Sequence, residues 1–359
     1  MADPRVARLR LIRTPTIGPV TYRQLLARFG DAARAIEALP DLAARGGGKA
    51  PRIADAASVE REIAQVEKLG ARYLFIDDPD YPPLLAEIEN APAAMTLKGD
   101  TRLFARTSVA MVGARNASAA ACRFARGLAV ELGREGVVVV SGLARGLDTA
   151  AHQGSLATGT IGVIASGIDI AFPPENRALQ DQVAEQGLLI AEQRPGSEPV
   201  ARNFPHRNRV IAGLATGTVV VEAAPRSGSL ITARLAAEAG RDVMAVPGSP
   251  LDPRAQGCNQ LIREGAILVQ SAADILETIR PIDPRMVRAP ASLFGGAPPA
   301  EPSEADRRRV AGLLGPVPVA IDELIRQSGL APPTVALILL ELEFAGRLER
   351  HAGGRVSLV

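Results

Sequence analysis

Three hydrophobic rhythms divide the chain. In the first seventy residues Leu25, Leu26, Phe29, Ala32, Ile36 and Leu39 recur at helical spacing, which predicts a helical domain over residues 1–70. An Ile17-Gly18-Pro19 turn stands between two helical patterns and resembles a helix-hairpin-helix, whose turn amides can hold a DNA phosphate. Few basic residues flank it, so a plain connector punctuated by Gly and Pro is the preferred reading. The glycine-rich stretch Ala44–Arg52 reads as a loop within this domain.

From residue 71 to residue 280 the rhythm becomes one of short β-branched runs separated by Ala-rich helical segments. The runs are Ser108–Gly113, Val137–Gly142, Thr160–Ser166, Leu188–Glu192, Thr218–Ala223, Asp242–Gly248 and Ala266–Val269. Runs that are apolar on both faces belong to strands buried on both sides, so the pattern predicts an α/β domain with a doubly wound, mostly parallel sheet. Residues 281–303 carry six prolines and a Gly-Gly pair without any apolar period, the composition of a linker. Residues 304–359 then give three helical segments and a hairpin turning at Gly353-Gly354, a winged helix. Its third helix, Pro332–Gly346, carries Glu341 and Glu343 and no Lys or Arg. A carboxylate facing phosphate is repelled, so the module reads as a protein–protein element.

Composition narrows the function classes. The 41 Lys and Arg against 39 Asp and Glu leave a charge of +2, so polyanion binding requires a local basic patch. With no Trp, 3 Tyr and 8 Phe, an extended base-stacking platform is not expected. Cys122 and Cys258 lack metal-ligand spacing, and three histidines restrict His-driven chemistry; no metal and no cofactor is expected. No apolar run reaches a membrane span and the first residues lack a signal-peptide core, so a cytoplasmic location without membrane contact is expected.

On a parallel sheet, ligands bind outside the carboxyl ends of the strands. The loop after the first run, Gly113-Ala114-Arg115-Asn116-Ala117-Ser118, joins a flexible glycine, a fixed cation and a helix mouth, the parts of a phosphate site. Arg115 stands where a dinucleotide fingerprint would need its second glycine, which argues against NAD or FAD. The second loop offers Ser141, Gly142 and Arg145, with Asp148 and His152 read as a helix cap and a backbone-bonded ring. The third brings Phe172, Asn176 and Arg177. A basic stretch follows with Phe204 to stack one base and Arg207, Asn208 and Arg209 to grip phosphate. The last supplies Ser227, Gly228 and Ser229. Together these loops predict one continuous anion groove.

No Walker lysine, G-x-S-x-G elbow or HExxH motif occurs, and no catalytic residue is assigned. Asp148 and Glu222 form a conceivable acid–base pair, although a carboxylate at a strand end is unremarkable.

The segments Ser141–Gly159, Phe204–Ser249 and Gly257–Ala266 closely resemble the DNA-processing protein A (DprA/Smf) family. The resemblance spans nearly the whole chain. It implies a helical SAM/helix-hairpin-helix-like domain, an extended Rossmann-like domain and a winged helix. It also implies a non-enzymatic role: binding incoming single-stranded DNA during natural transformation, loading RecA recombinase onto it, and dimerising through the Rossmann-like domain. In that family the arginine of a VGxR loop lies in a positive pocket, the position of Arg115 here. Arg177 matches the basic residue of the third-strand loop, where some relatives have Lys, which keeps the charge but changes the hydrogen-bond geometry. Arg207, Asn208 and Arg209 come from the FPxRNR segment. The rival reading is a nucleotide-processing hydrolase of the phosphoribohydrolase kind, but Pro225–Ala233 lacks the glutamate of its PGGxGTxxE motif. A transcription factor is disfavoured by the acidic third helix.

Overall fold

The computed structural model describes residues 3–48, 51–279, 301–351 and 353–359. Most of the linker expected over 281–303, residues 281–300, lies outside them. The chain forms two compact units, Arg61–Met286 and the pair of segments Met1–Glu60 with Val287–Val359.

The chain opens with α1 (Pro4–Arg13), α2 (Pro19–Phe29), α3 (Ala32–Arg45) and α4 (Ala56–Lys68). The single helical pattern through Leu25 and Leu39 is in fact two helices, because Gly30 takes φ +83° and ends α2. The sheet unit then runs β1 (Arg72–Phe75), α5 (Pro83–Ala86), β2 (Ala94–Gly99), β3 (Ser108–Val112), α6 (Ala119–Arg134), β4 (Val138–Ser141), α7 (Leu147–Ser155) and β5 (Thr160–Ile164). It continues with α8 (Arg177–Gln186), β6 (Leu188–Ala191), α9 (Asn203–Leu214), β7 (Gly217–Val220), α10 (Gly228–Glu238), β8 (Asp242–Ala245), α11 (Gln256–Arg263), β9 (Ile267–Leu268) and α12 (Ala272–Ile279).

The strand order is β1-β2-β6-β5-β4-β3-β7-β8-β9. From β6 to β9 every pair is parallel, as the two-faced apolar runs predict. Val109, Met111, Val139 and Val219 face a core with α6, α7 and α12. Their neighbours Ala110, Val112, Val140 and Val220 face a second core with α9 and α10. The sequence reading missed β1 and β2, which pair antiparallel with each other and, through β2, with β6. They are short and lie beyond the parallel strands, so the βαβ rhythm does not mark them. The chain builds β3 to β6 in one direction and β7 to β9 in the other. The topological switch therefore lies between β3 and β7, where an α/β sheet opens a crevice.

In the other unit the winged helix comprises α13 (Glu304–Gly312), β10 (Val319–Ala320), α14 (Ile321–Ser328), α15 (Pro332–Phe344), β11 (Leu348–His351) and β12 (Arg355–Leu358). Val335, Ile338, Leu339 and Leu342 of α15 pack with Val310, Leu324, Leu348 and Val356. Leu337, Leu340, Glu341 and Phe344, on its other sides, are buried too, and α15 packs on α3. An all-round apolar helix is an internal helix. The glycines after α3 make the close approach possible: a Cβ on Gly46 would lie 1.9 Å from the Glu341 carbonyl oxygen, and one on Gly48 2.3 Å from Ala345 Cα.

The acidic residues of α15 thus do not form an outward face. Arg307 donates to both Glu341 oxygens at 2.8 and 3.0 Å, and Arg350 donates to Glu343 at 2.9 Å. The Thr21 hydroxyl also donates to Glu343, at 3.1 Å. Repulsion of phosphate is therefore not what occupies this helix; its surface is taken up by the chain's own N-terminal helices.

Candidate nucleic-acid interface

Two clefts of about 400 and 340 Å³ open at the carboxyl edge of the sheet. The first lies at the topological switch, between the loops after β3 and β7. Gly113, Arg115, Phe204, Arg207, Asn208, Ser227, Gly228 and Ser229 line it, all singled out by the sequence. Gly142, Arg145 and Phe172 join the second, which shares Arg115, Phe204 and Arg207 with the first. The two clefts thus meet at one phenyl ring and two guanidinium groups.

That junction has a defined geometry. Arg115 lies over the Phe204 ring at 5.1 Å and Arg207 at 5.9 Å, within reach of cation–π attraction. Phe172, 42% exposed, meets the same ring edge-on at 5.9 Å and 62°. Arg115 is exposed, whereas Arg207 is buried. Room for the Arg207 guanidinium exists because residue 142 is glycine: a Cβ there would lie 1.2 Å from Nη1.

Beneath the ring, Asp148 lies 3.8 Å from Arg207 Nη1 and accepts from the Ala144 amide at 3.3 Å. Burial pushes the Asp148 carboxyl up, and the neighbouring Arg207 charge opposes that shift. Asp148 is not a helix cap in the simple sense, since Gly146 occupies the N-cap of α7. His152 bonds the Thr160 hydroxyl, 2.7 Å from Nδ1, rather than only backbone. Burial and the Arg207 charge lower its pKa to about 3, so the ring is neutral.

Five residues expected in the groove line neither cleft. Arg209 is buried and gives both terminal nitrogens to Glu192, at 2.9 and 2.6 Å, so it braces α9 against the end of β6. Ser141 is buried and donates to the Met111 carbonyl at 2.6 Å, tying β4 to β3. Asn176 donates to the Leu143 carbonyl and the Thr149 hydroxyl at 2.8 and 2.9 Å, pinning the second loop. Arg177 starts α8 and faces a separate hollow with Lys98 and Asp181.

Ser118 corrects the sequence reading most. Its amide and hydroxyl donate to Glu222, at 3.1 and 2.7 Å, and its hydroxyl also caps α6 by accepting from Ala121 at 3.0 Å. The mouth of α6, expected to receive a phosphate, is closed by the chain's own carboxylate. Glu222 is therefore a structural anchor, also 3.7 Å from Arg254, and Asp148 and Glu222 each serve a different partner. Arg145 pairs with Glu175 at the rim of the second cleft. Ile211 and Pro199, to which the sequence reading assigned no role, complete the cleft walls; apolar wall residues carry no type-specific signal.

Three family models match successive stretches of the chain. Residues 72–280 match the family model for DNA recombination-mediator protein A, residues 2–64 that for the DprA-like N-terminal HHH domain, and residues 296–354 that for the DprA winged helix domain. The N-terminal match favours the hairpin resemblance at Ile17–Pro19 over the plain connector. The chain is 46% identical to the DNA processing protein DprA of Streptococcus pneumoniae over 201 residues, 55% of this chain and 71% of that protein. It is 34% identical to Protein Smf of Synechocystis over 326 residues, 82% of this chain and 81% of that protein. The X-ray structure of the S. pneumoniae protein superposes with a TM-score of 0.65 at 34% identity, covering 77% of this chain and 98% of that one. A structure of Helicobacter pylori DNA processing protein A, described for its single-stranded DNA binding mode, gives 0.53 at 27% identity, covering 58% and 95%. The family models and these relatives agree: the chain belongs to the DNA recombination-mediator protein A family, the DprA/Smf proteins.

Proposed function

We propose that the protein is a single-stranded DNA-binding recombination mediator. It protects incoming strands and loads RecA onto them during natural transformation, acting by binding rather than by catalysis. One observation carries the reading: two adjoining clefts share an arginine–phenylalanine–arginine junction at the topological switch of the sheet. A strand alternates anionic phosphates with flat bases. Two cations beside a pair of aromatic rings suit that alternation: the guanidinium groups meet phosphates, and Phe172, exposed at the rim, offers a ring on which a base stacks.

The hydrolase alternative gains nothing from the site. Glu222 is spent on Ser118 and Asp148 on Arg207 and a loop amide. The homodimer through the sheet domain is part of the proposal, supported by the open edge at β9, where Ile267 and Leu268 are 39% and 44% exposed. Action in the cytoplasm belongs to the same reading.

The test is fluorescence anisotropy with labelled oligo-dT against a matching duplex over a salt series. Tight, salt-sensitive binding that prefers single strands supports the reading, and equal affinity for the duplex overturns it. RecA loading is then measured as RecA filament formation on strands coated with single-strand-binding protein. No acceleration by this protein would remove the mediator role. A monomer by light scattering would remove the dimer.

A further inference from the structure

We propose that Asp148 is a positioning residue: its carboxylate aims the Arg207 guanidinium into the wall common to the two clefts. The inference rests on the single-stranded DNA reading above.

A carboxylate in an anion site is a paradox on field alone, because its charge reduces the attraction for phosphate. The surroundings of Arg207 resolve it. Arg207 and Asp148 are 7% and 5% exposed, and both line the first cleft. Arg207 Nε is buried and has no hydrogen-bond partner among the described residues. The guanidinium is thus held by few contacts: the Asp148 carboxylate at 3.8 Å, the Phe204 ring, and the space that Gly142 leaves. The other charged neighbour, Arg115, repels it.

A buried cation without a counter-charge is strongly disfavoured and would swing toward water. Asp148 prevents this because it is itself fixed, in the first turn of α7 and bonded to the Ala144 amide. Its single charge keeps Arg207 in the wall while leaving Nε and most of the guanidinium donors unspent. Arg209 provides the contrast two residues along α9: Glu192 takes both its terminal nitrogens, and Arg209 lines neither cleft. A loose counter-charge retains an arginine for a ligand, and a bidentate one consumes it.

The test separates position from field. Asp148→Asn keeps the shape and the amide bond but removes the charge. If Asp148 acts only through the field, dT oligomers bind this variant more tightly. If it positions Arg207, binding weakens by about tenfold and the salt slope falls by about one, as for a lost phosphate contact. The same substitution in an Arg207→Gln background is expected to add nothing further. Asp148→Glu, which keeps the charge but moves it by one methylene, is expected to weaken binding as well.

Side-chain NMR of ¹⁵N-arginine-labelled full-length protein without DNA provides a readout independent of the ligand. A restrained Arg207 guanidinium signal is expected in wild type and motional averaging in both Asp148 variants, at matched folded fractions. Unchanged or tighter binding, an equal loss in the Arg207→Gln background, or an unaltered Arg207 signal would overturn the proposal. If wild type binds no dT oligomer, the DNA reading fails, while the Arg207 signal still decides whether Asp148 holds the guanidinium.

Discussion

In the unit that joins the N-terminal helices to the winged helix, Arg307 makes a two-point pair with Glu341 and Arg350 a close one with Glu343. Glu301 there meets Arg28 at 2.9 Å and also pairs with Arg45. At the carboxyl edge of the sheet, Arg115 instead lies over a phenyl ring, and Arg207 faces one carboxylate at 3.8 Å. The same residue type does opposite work at Arg307 and Arg207. Where carboxylates complete the guanidinium, it fastens elements together; where they do not, its hydrogen-bonding capacity stays open toward a cleft. Charge counts alone cannot separate these cases, because partners decide them.

The comparison breaks most directly at Gly142. A Cβ there cannot coexist with Arg207 in place, so Gly142→Ala is expected to weaken oligo-dT binding by about a hundredfold. Anisotropy checks this, and near-wild-type affinity would mean that Arg207 is dispensable in the wall.

Glu341→Gln attacks the fastening region instead. It leaves Arg307 without its closest carboxylate, with a loss of about 2–3 kcal/mol in the unit that contains it and no change in DNA affinity. Denaturant unfolding followed beside anisotropy separates the two readouts.

His152 sharpens the contrast by pH. Its folded pKa of about 3 lies below the ordinary 6.5, so above pH 6.5 it contributes no pH dependence. Below that, the unfolded chain takes up a proton that the folded one refuses, and stability falls by about 1.4 kcal/mol per pH unit until the folded value is reached. Between pH 7 and pH 5 this share amounts to about 2 kcal/mol, and His152→Gln is expected to remove it from the unfolding free energy.

Arg115→Ala is expected to reduce affinity by about tenfold and the salt slope by about one unit. The smallest effect belongs to Arg177→Ala, expected to change oligo-dT affinity by less than about twofold, because Arg177 faces a hollow away from both clefts. A loss comparable with that of Arg115→Ala would extend the DNA path to α8.

Much of this architecture is legible in the sequence for a local reason. Buried parallel strands must be apolar on both faces, so seven of the nine strands of the large sheet announce themselves by composition, and the wing does so through Gly353-Gly354. Strands β1 and β2 do not, because they are an antiparallel addition of four and six residues that stands outside the βαβ alternation. The candidate site is legible as a set of loops, since the carboxyl ends of parallel strands converge wherever the strand order allows. Its membership is not. Arg207 and Arg209 are identical in type and two apart, yet one lines a cleft and the other binds Glu192. Ser118 and Ser229 both stand at helix starts, yet only Ser118 meets a carboxylate, from the loop after β7. Likewise, Glu341 reads as an outward acid and proves to be an interior partner of Arg307. The sequence by itself determined the elements, their order and the sheet edge at which chemistry collects, because periodicity and turn chemistry are local. Only the tertiary structure decided which charges are spent and which remain open, because a charge is neutralised by whatever the fold brings within about 4 Å, however distant in the chain.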